Sequence, residues 1–433
     1  MSIDNTVRHL LNALDERTHH LAELDRYYAG RQAMAFLSPE ARQAVGSRFG
    51  RLGVNIPRLA VNSLNERLRV TGFRLDDQPA PTLWEAWIRN DLDQRAALVH
   101  REALVLGRSY VITWAHPDGT PKVSVESAHQ VAVERDPGTR EVVRAVKRWS
   151  DRDGTNVVLY EPDVIRRLRS SSVGADHGFK VVETLPNPLG WTPVVEFVNS
   201  DRILADGTSE LEDLIPLVDA LNKIVADMMV GSEYYARPRR WATGIELEKN
   251  EDGTATNPFG EGDRMMIAEE AAAKFGQLPG SDLSSYKSAV EVLVSSIMAV
   301  SSLPSHYVGV LSTQPPSADA LRASEASLTA KAEARQHTFG RSWETVGRLI
   351  HAIDTGADPD TVNVSVSWAD PATRSVAQEA DAVVKLHSAG LVPASYALKR
   401  LGYADHEVEA IRVARRAEAL DGIGVEVLKE LTS

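Results

Sequence analysis

The chain has no cysteine among its 433 residues, so no disulfide framework, thiolate nucleophile or cysteine-ligated metal can contribute to its fold or chemistry. Positive charge is also in short supply: 48 Lys and Arg stand against 60 Asp and Glu, a net charge of −12. A tight grip on nucleic acid over a broad surface needs phosphate neutralisation, so this balance excludes such a grip and leaves room only for a transient nucleic-acid partner. No apolar run is long enough to span a bilayer, and Asp4 and Arg8 interrupt the N-terminus where a signal peptide would carry its apolar core. A cytoplasm-like setting with no membrane partner is therefore expected.

The motifs of the common enzyme classes are missing too. There is no phosphate-binding glycine loop of the Walker or dinucleotide type, no His-Glu-x-x-His and no Gly-x-Ser-x-Gly. His9 and His20 share one predicted helix but lie about 16 Å apart along its axis, too far to hold one metal. Asp151-x-Asp153-Gly154-x-Asn156 has the start of a calcium loop, yet Pro162 stands where the bidentate Glu is needed, so a plain turn is expected. The acidic pairs Glu212-Asp213 and Glu269-Glu270 put neighbours on different helix directions and read as solvated faces. The expectation is a non-enzymatic protein with no cofactor and no bound metal.

What is present is a long chain of ordinary globular composition, 43% hydrophobic and 25% charged, enough for about two to four folded units. The fold class is α+β, mainly helical. Val7, Leu10, Leu11, Leu14, Leu21, Leu24 and Tyr28 recur at helical spacing and predict a one-faced helix over 5–29, closed by Gly30. Leu64, Leu68 and Val70 continue a second helical pattern, and a third covers 83–107. Between 108 and 200 the pattern changes to short β-rich runs separated by Asp118-Gly119, Asp136-Pro137-Gly138 and Asp153-Gly154, which predicts one antiparallel meander ending in Val194–Val198.

Ser209 and Glu212 form a capping-box pattern ahead of Leu211, Leu214, Ile215, Val218, Leu221, Val225, Met228 and Met229, so a helix over 209–234, roughly 39 Å long, is expected. A second helix over 282–301 carries Leu283, Tyr286, Val290, Leu293 and Ile297 at alternating three and four spacing, the seam of a helix packed lengthwise on neighbours. That seam predicts packing between copies, with charge at Leu293 or Ile297 blocking assembly and leaving soluble subunits. Between the two helices lies a small α/β insertion containing Met265-Met266-Ile267 and the one compact basic cluster beside an aromatic, Arg237, Arg239, Arg240 and Trp241. This cluster reads equally as a solvated surface and as a contact for an acidic protein or phosphate.

The connection 303–317 contains no Lys, Arg, Asp or Glu, and offers His306, Tyr307, Ser312, Thr313 and Gln314 as neutral donors. A helix over 318–354, roughly 56 Å if straight, follows it. A strand over Val362–Trp368 then returns the chain to the β region, and 373–430 reads as three or four short helices with Pro393 at a start and Gly390, Gly402 and Gly422 as breaks.

Several runs carry a resemblance. They are Tyr27-Tyr28-Ala29-Gly30, Asn55-Ile56-Pro57-Arg58, Arg67-Leu68-Arg69-Val70-Thr71-Gly72-Phe73 and Asn187-Pro188-Leu189-Gly190-Trp191-Thr192-Pro193-Val194-Val195. They continue with Leu303-Pro304-Ser305-His306-Tyr307-Val308-Gly309, Gln314-Pro315-Pro316-Ser317-Ala318-Asp319-Ala320-Leu321 and Trp368-Ala369-Asp370-Pro371-Ala372-Thr373-Arg374-Ser375, with Ala380-Asp381-Ala382 after it. In that order, over nearly the whole length, the chain resembles portal proteins of long-tailed bacteriophages.

The resemblance implies a ring, commonly of twelve copies, at the capsid vertex of a virion assembled in the host cytoplasm. It implies a wing (1–208), a first stem helix (209–236), a clip (237–281), a second stem helix (282–302), a tunnel loop (303–317), a long wing helix with its return strand (318–372) and a crown (373–433). Implied partners are double-stranded DNA in the channel, a terminase packaging motor, a major capsid or scaffolding protein and a head–tail adaptor. His306, Tyr307, Ser312, Thr313 and Gln314 would then face the channel, and Arg237, Arg239, Arg240 and Trp241 would meet clip partners. The alternatives are another ring protein of the head–tail connector, for which the chain is long, and a DNA-processing enzyme, for which it lacks a nucleotide loop.

Overall fold

The computed structural model describes residues 3–33, 55–204, 206–236, 240–244, 272, 274–277, 284–309, 317–372, 376–403 and 407–417. The chain divides into two compact units, Met1–Pro371 and Ala372–Ser433.

In the first unit, α1 (Ile3–Tyr28) is the expected one-faced helix, and its single stripe serves two cores. Val7, Leu10, Leu11 and Leu14 pack on Ala132, Val146, Val157, Leu159 and Leu168 of a β-sheet. Leu21, Leu24 and Tyr27 enter the main core instead. The second predicted helix is shorter than its pattern: α2 spans Ile56–Asn65, and Val70 opens strand β1 (Val70–Leu75). Its apolar spacing satisfies both periods, and pairing with a distant strand decides between them. The segment 83–107 is likewise two helices, α3 (Pro81–Arg89) and α4 (Leu92–Leu106), because Asp91 turns the chain in the left-handed region at φ 55°.

The β region holds two sheets, not one meander. Strands β5 (Val131–Arg135), β6 (Val142–Asp151), β7 (Gly154–Tyr160), β8 (Val164–Ser170) and β9 (Lys180–Pro186) follow one another antiparallel, whereas β10 (Val194–Val198) returns to pair with β3 (Arg108–Ala115), beside β4 (Pro121–Ser127). The Asp151 loop is the tight β6–β7 turn: its carboxylate accepts from the Asp153 amide at 2.9 Å and the Asn156 amide at 2.7 Å. Two-residue β2 (Gln78–Pro79) and distant β13 (Val364–Trp368) flank β1.

The main core is sealed by α7 (Ala318–Thr355), 38 residues long, which starts on a Ser317 side chain accepting from the Ala320 amide at 3.2 Å. Trp343 on its inner face meets Trp87 and Phe197 at ring separations of 4.7 Å each.

The capping residues Ser209 and Glu212 do bond as their pattern predicts, the Ser209 amide donating to Glu212 Oε1 at 3.1 Å. They close a turn, and the helix itself, α5, runs Ile215–Ala236. The Ser209 hydroxyl also donates to the Val105 carbonyl at 2.5 Å, so the turn is pinned to the end of α4. Gly107 and Gly207 make this close approach feasible: a Cβ on Gly207, at φ +93°, would lie 2.3 Å from the Gly107 carbonyl oxygen. Beyond α5, strands β11 (Arg240–Thr243) and β12 (Lys274–Gln277) pair antiparallel, followed by α6 (Ser284–Ser301). Met265-Met266-Ile267 and Glu269-Glu270 lie outside the described residues.

The second unit contains α8 (Val376–Ser388), α9 (Ala394–Arg400), whose N-cap is Pro393, and helical residues 407–417. Gly390 and Gly402 follow α8 and α9 with positive φ, and Gly422 is outside the described residues.

Candidate inter-subunit and channel elements

The two helices α5 and α6 pack on each other, and part of the apolar seam lies between them. Ile297 is fully buried among Ile56, Leu214, Val218, Leu221 and Leu303, and Val290 and Leu293 lie partly buried against the same cluster. Burying one such side chain stabilises by about 1.5–3 kcal/mol, which the subunit already collects by itself. Ile297 is therefore a residue of the subunit's own core. The large apolar side chains that α6 leaves uncovered are Val292, 66% exposed, and Val300, 45% exposed. Tyr286 is half-buried, and Leu283 lies outside the described residues.

The end of α6 leads into one turn of 3-10 helix, Ser305–Val308, held at its base by buried Leu303. This turn is anchored by a charge cluster that no local pattern predicts. Arg67, in the bend between α2 and β1, is almost fully buried beside Glu325 of α7, with its Nη2 3.1 Å from Glu325 Oε2. The same nitrogen donates to the Tyr307 hydroxyl at 3.1 Å, and Nη1 donates to the Pro371 carbonyl at 2.5 Å. His306 Nε2 lies 3.3 Å from Glu325 Oε1. Thus, in the subunit, His306 and Tyr307 turn toward Glu325 and Arg67. Ser312, Thr313 and Gln314 lie outside the described residues.

A second buried cluster fixes the approach to α5. Arg335 of α7 donates to Glu210 Oε1 at 3.0 Å and to Asp201 at 2.5 Å, and Lys331 reaches Glu210 Oε2 at 2.5 Å. Burial pushes the Glu210 carboxyl up, but the two cations beside it prevail and hold it below its ordinary range. Of the basic cluster, Arg240 and Trp241 stand on β11 opposite Gln277 and Gly276, while Arg237 and Arg239 lie outside the described residues. Among the described residues there is no group of three or more acidic or His side chains placed to hold a metal, and no helix long and apolar enough to cross a membrane.

This layout of helices and sheets has counterparts. A family model described as "Phage portal protein, SPP1 Gp6-like" matches residues 7–420. Portal proteins of Mycobacterium phages L5 and D29 are 31% and 30% identical to this chain over 446 aligned positions, covering 96% of it and 89% of each relative. The chain belongs to the phage portal protein family. A solved chain from the neck of an empty gene transfer agent particle shares the fold, with a TM-score of 0.50 at 14% identity over 84% of this chain and 94% of that one.

Its function is accordingly that of a tailed-phage portal protein in the head–tail connector, and the family is a structural one found in virions. Sequence reasoning missed Arg67 and Glu325. Arg67 does sit inside one of the runs that carry the family resemblance, but its partners are 240 to 304 residues away, beyond the reach of any spacing rule.

Proposed function

We propose that copies of this chain, twelve by family resemblance, close into a ring at the capsid vertex, through which double-stranded DNA is packaged and later released. The observation that carries the ring is uncovered Val292 on α6, on a helix whose opposite face is already used by its own subunit, with Val300 exposed at the flank of that face. In this reading 1–208 and 318–372 form the wing, 209–236 and 282–302 the stem, 237–281 the clip, 303–317 the tunnel loop and 373–433 the crown. The clip, with Arg237, Arg239, Arg240 and Trp241, meets the terminase motor during packaging and a head–tail adaptor afterwards. A capsid or scaffolding protein surrounds the ring, and assembly takes place in the host cytoplasm.

The tunnel loop suits a sliding duplex. Each phosphate held by Lys or Arg adds a salt-dependent attraction that must be broken at every step, and 303–317 has no charged Lys, Arg, Asp or Glu to hold one. A negative-stain image of the purified protein tests the proposal: rings with a central channel support it, and a monodisperse monomer at assembly concentrations removes it. Replacing Arg239 and Arg240 by Glu tests the clip, since rings should form normally while motor docking or tail joining is lost.

A further inference from the structure

The Arg67 guanidinium is enclosed by groups from three distant parts of the first unit. One is Tyr307, at the base of the uncharged loop; the second is Glu325, in the third turn of α7; the third is the Pro371 carbonyl, at the residue where the first unit ends. The Arg67 backbone is held as well, because Gln336 Nε2 donates both to the Arg67 carbonyl and to the Ala369 carbonyl, each at 3.0 Å. A lysine in the same place has one compact ammonium and cannot present the planar fork that meets three acceptors in different directions. A buried cation of this kind is retained only where its partners are all in place, since losing one leaves charge without compensation.

We propose that Arg67 is the positioning residue of the turn Ser305–Val308, clamping it at Tyr307 to the start of α7 and to the chain exit at Pro371, so that these three points open and close together. The clamp rests on the channel reading above only for its purpose, which is to hold the turn at Tyr307 in one place beside the channel; the joint itself is a property of the subunit. Tyr307 is the part most easily released, because its hydroxyl accepts one hydrogen bond and its ring is only half-buried. Glu325 also faces His306, so it keeps a polar neighbour when Arg67 is removed.

The test is hydrogen–deuterium exchange on the full chain, comparing the parent with Arg67→Met, Arg67→Lys and Tyr307→Phe. In Arg67→Met, protection at 305–309 and at 369–370 should fall together by about tenfold or more, as expected for loss of hydrogen bonds to a buried charge. Arg67→Lys should keep the charge and the fold but fail to restore that protection. If Arg67→Met does not fold, Tyr307→Phe decides, and it should raise exchange about tenfold at 305–309 while the variant stays folded. Unchanged exchange at 305–309 in Tyr307→Phe, or loss at one of the two segments but not the other in folded Arg67→Met, overturns the clamp. Full rescue by Arg67→Lys overturns it too, since a point charge would then suffice. Exchange changes as expected with normal DNA packaging would leave the clamp standing and count against the channel role of the loop.

Discussion

The Trp343 indole N–H donates to His100 Nε2 at 2.7 Å, inside a cluster where the His100 ring also stacks on Phe339 at an interplanar angle of 6°. The bond requires the neutral imidazole, because the protonated ring would point a donor at a donor. Burial is the dominant influence on this group and lowers its pKa to about 3.

Acid should therefore act on the main core through His100. Its folded pKa is depressed below the unfolded value, so its contribution to stability is complete above about pH 6.5 and is lost as pH falls from there toward 3. Between pH 7 and pH 4.5 this one group removes about 2–3 kcal/mol. Denaturant unfolding of the parent and of His100→Gln at both pH values isolates the effect: the variant should start less stable and show the shallower pH dependence. Equal slopes would remove His100 from the account.

Charge placed on α6 should act differently at its two faces. Ile297→Asp buries a carboxylate without a partner and should destabilise the subunit by about 4 kcal/mol or more. Val292→Asp lies on the exposed face and should change subunit stability by no more than about 0.5 kcal/mol while preventing ring formation in sedimentation. Normal rings from Val292→Asp would show that this face is not an interface between copies.

At the approach to α5, Gly207→Ala should destabilise the subunit by about 2–4 kcal/mol, because a Cβ there collides with the Gly107 carbonyl in a backbone region that side chains rarely adopt. Chemical unfolding should show a lower midpoint with an unchanged denaturant dependence. A midpoint equal to the parent's would mean that the two segments part at no cost.

Arg335→Met should leave Lys331 and the Asn199 side-chain amide beside Glu210 and should lower stability by about 3–5 kcal/mol, as breaking a buried ion pair does. Glu210 and Asp201 both have depressed pKa values in the folded chain, so the stability they contribute is present above the ordinary carboxylate range and is lost as pH falls through it. The difference between parent and Arg335→Met should accordingly shrink on acidification. A constant difference from neutral to acid pH would contradict the electrostatic origin.

For DNA passage, purified rings should bind duplex DNA weakly and without sequence preference. Thr313→Lys with Gln314→Lys should strengthen binding, steepen its salt dependence and slow packaging. No change in binding or in packaging would withdraw the channel role from 303–317.

Local pattern was a sound guide wherever one element buries one face. The stripe on α1, the long α7 and the β-rich region between 108 and 200 were all legible, because each buries apolar residues at the period of its own backbone. It failed where two periods fit the same residues, as at Leu64, Leu68 and Val70, and where a single left-handed residue, Asp91, divides an otherwise continuous helical pattern. At the candidate site the sequence showed an apolar seam and an uncharged loop but not which neighbour each one serves.

By itself, then, the sequence determined the inventory: no cysteine chemistry, an acidic balance unsuited to a tight grip on nucleic acid, two helices around an insertion, and an uncharged loop before a long helix. Only the tertiary structure decided that Ile297 belongs to its own subunit, that β10 leaves the meander to pair with β3, and that Arg67 joins Tyr307, Glu325 and Pro371. The physical reason is common to the three. Helix and strand periods are short-range consequences of backbone geometry, whereas the partner that buries a side chain or neutralises a charge is chosen by which distant segments the folded core brings within a few ångströms.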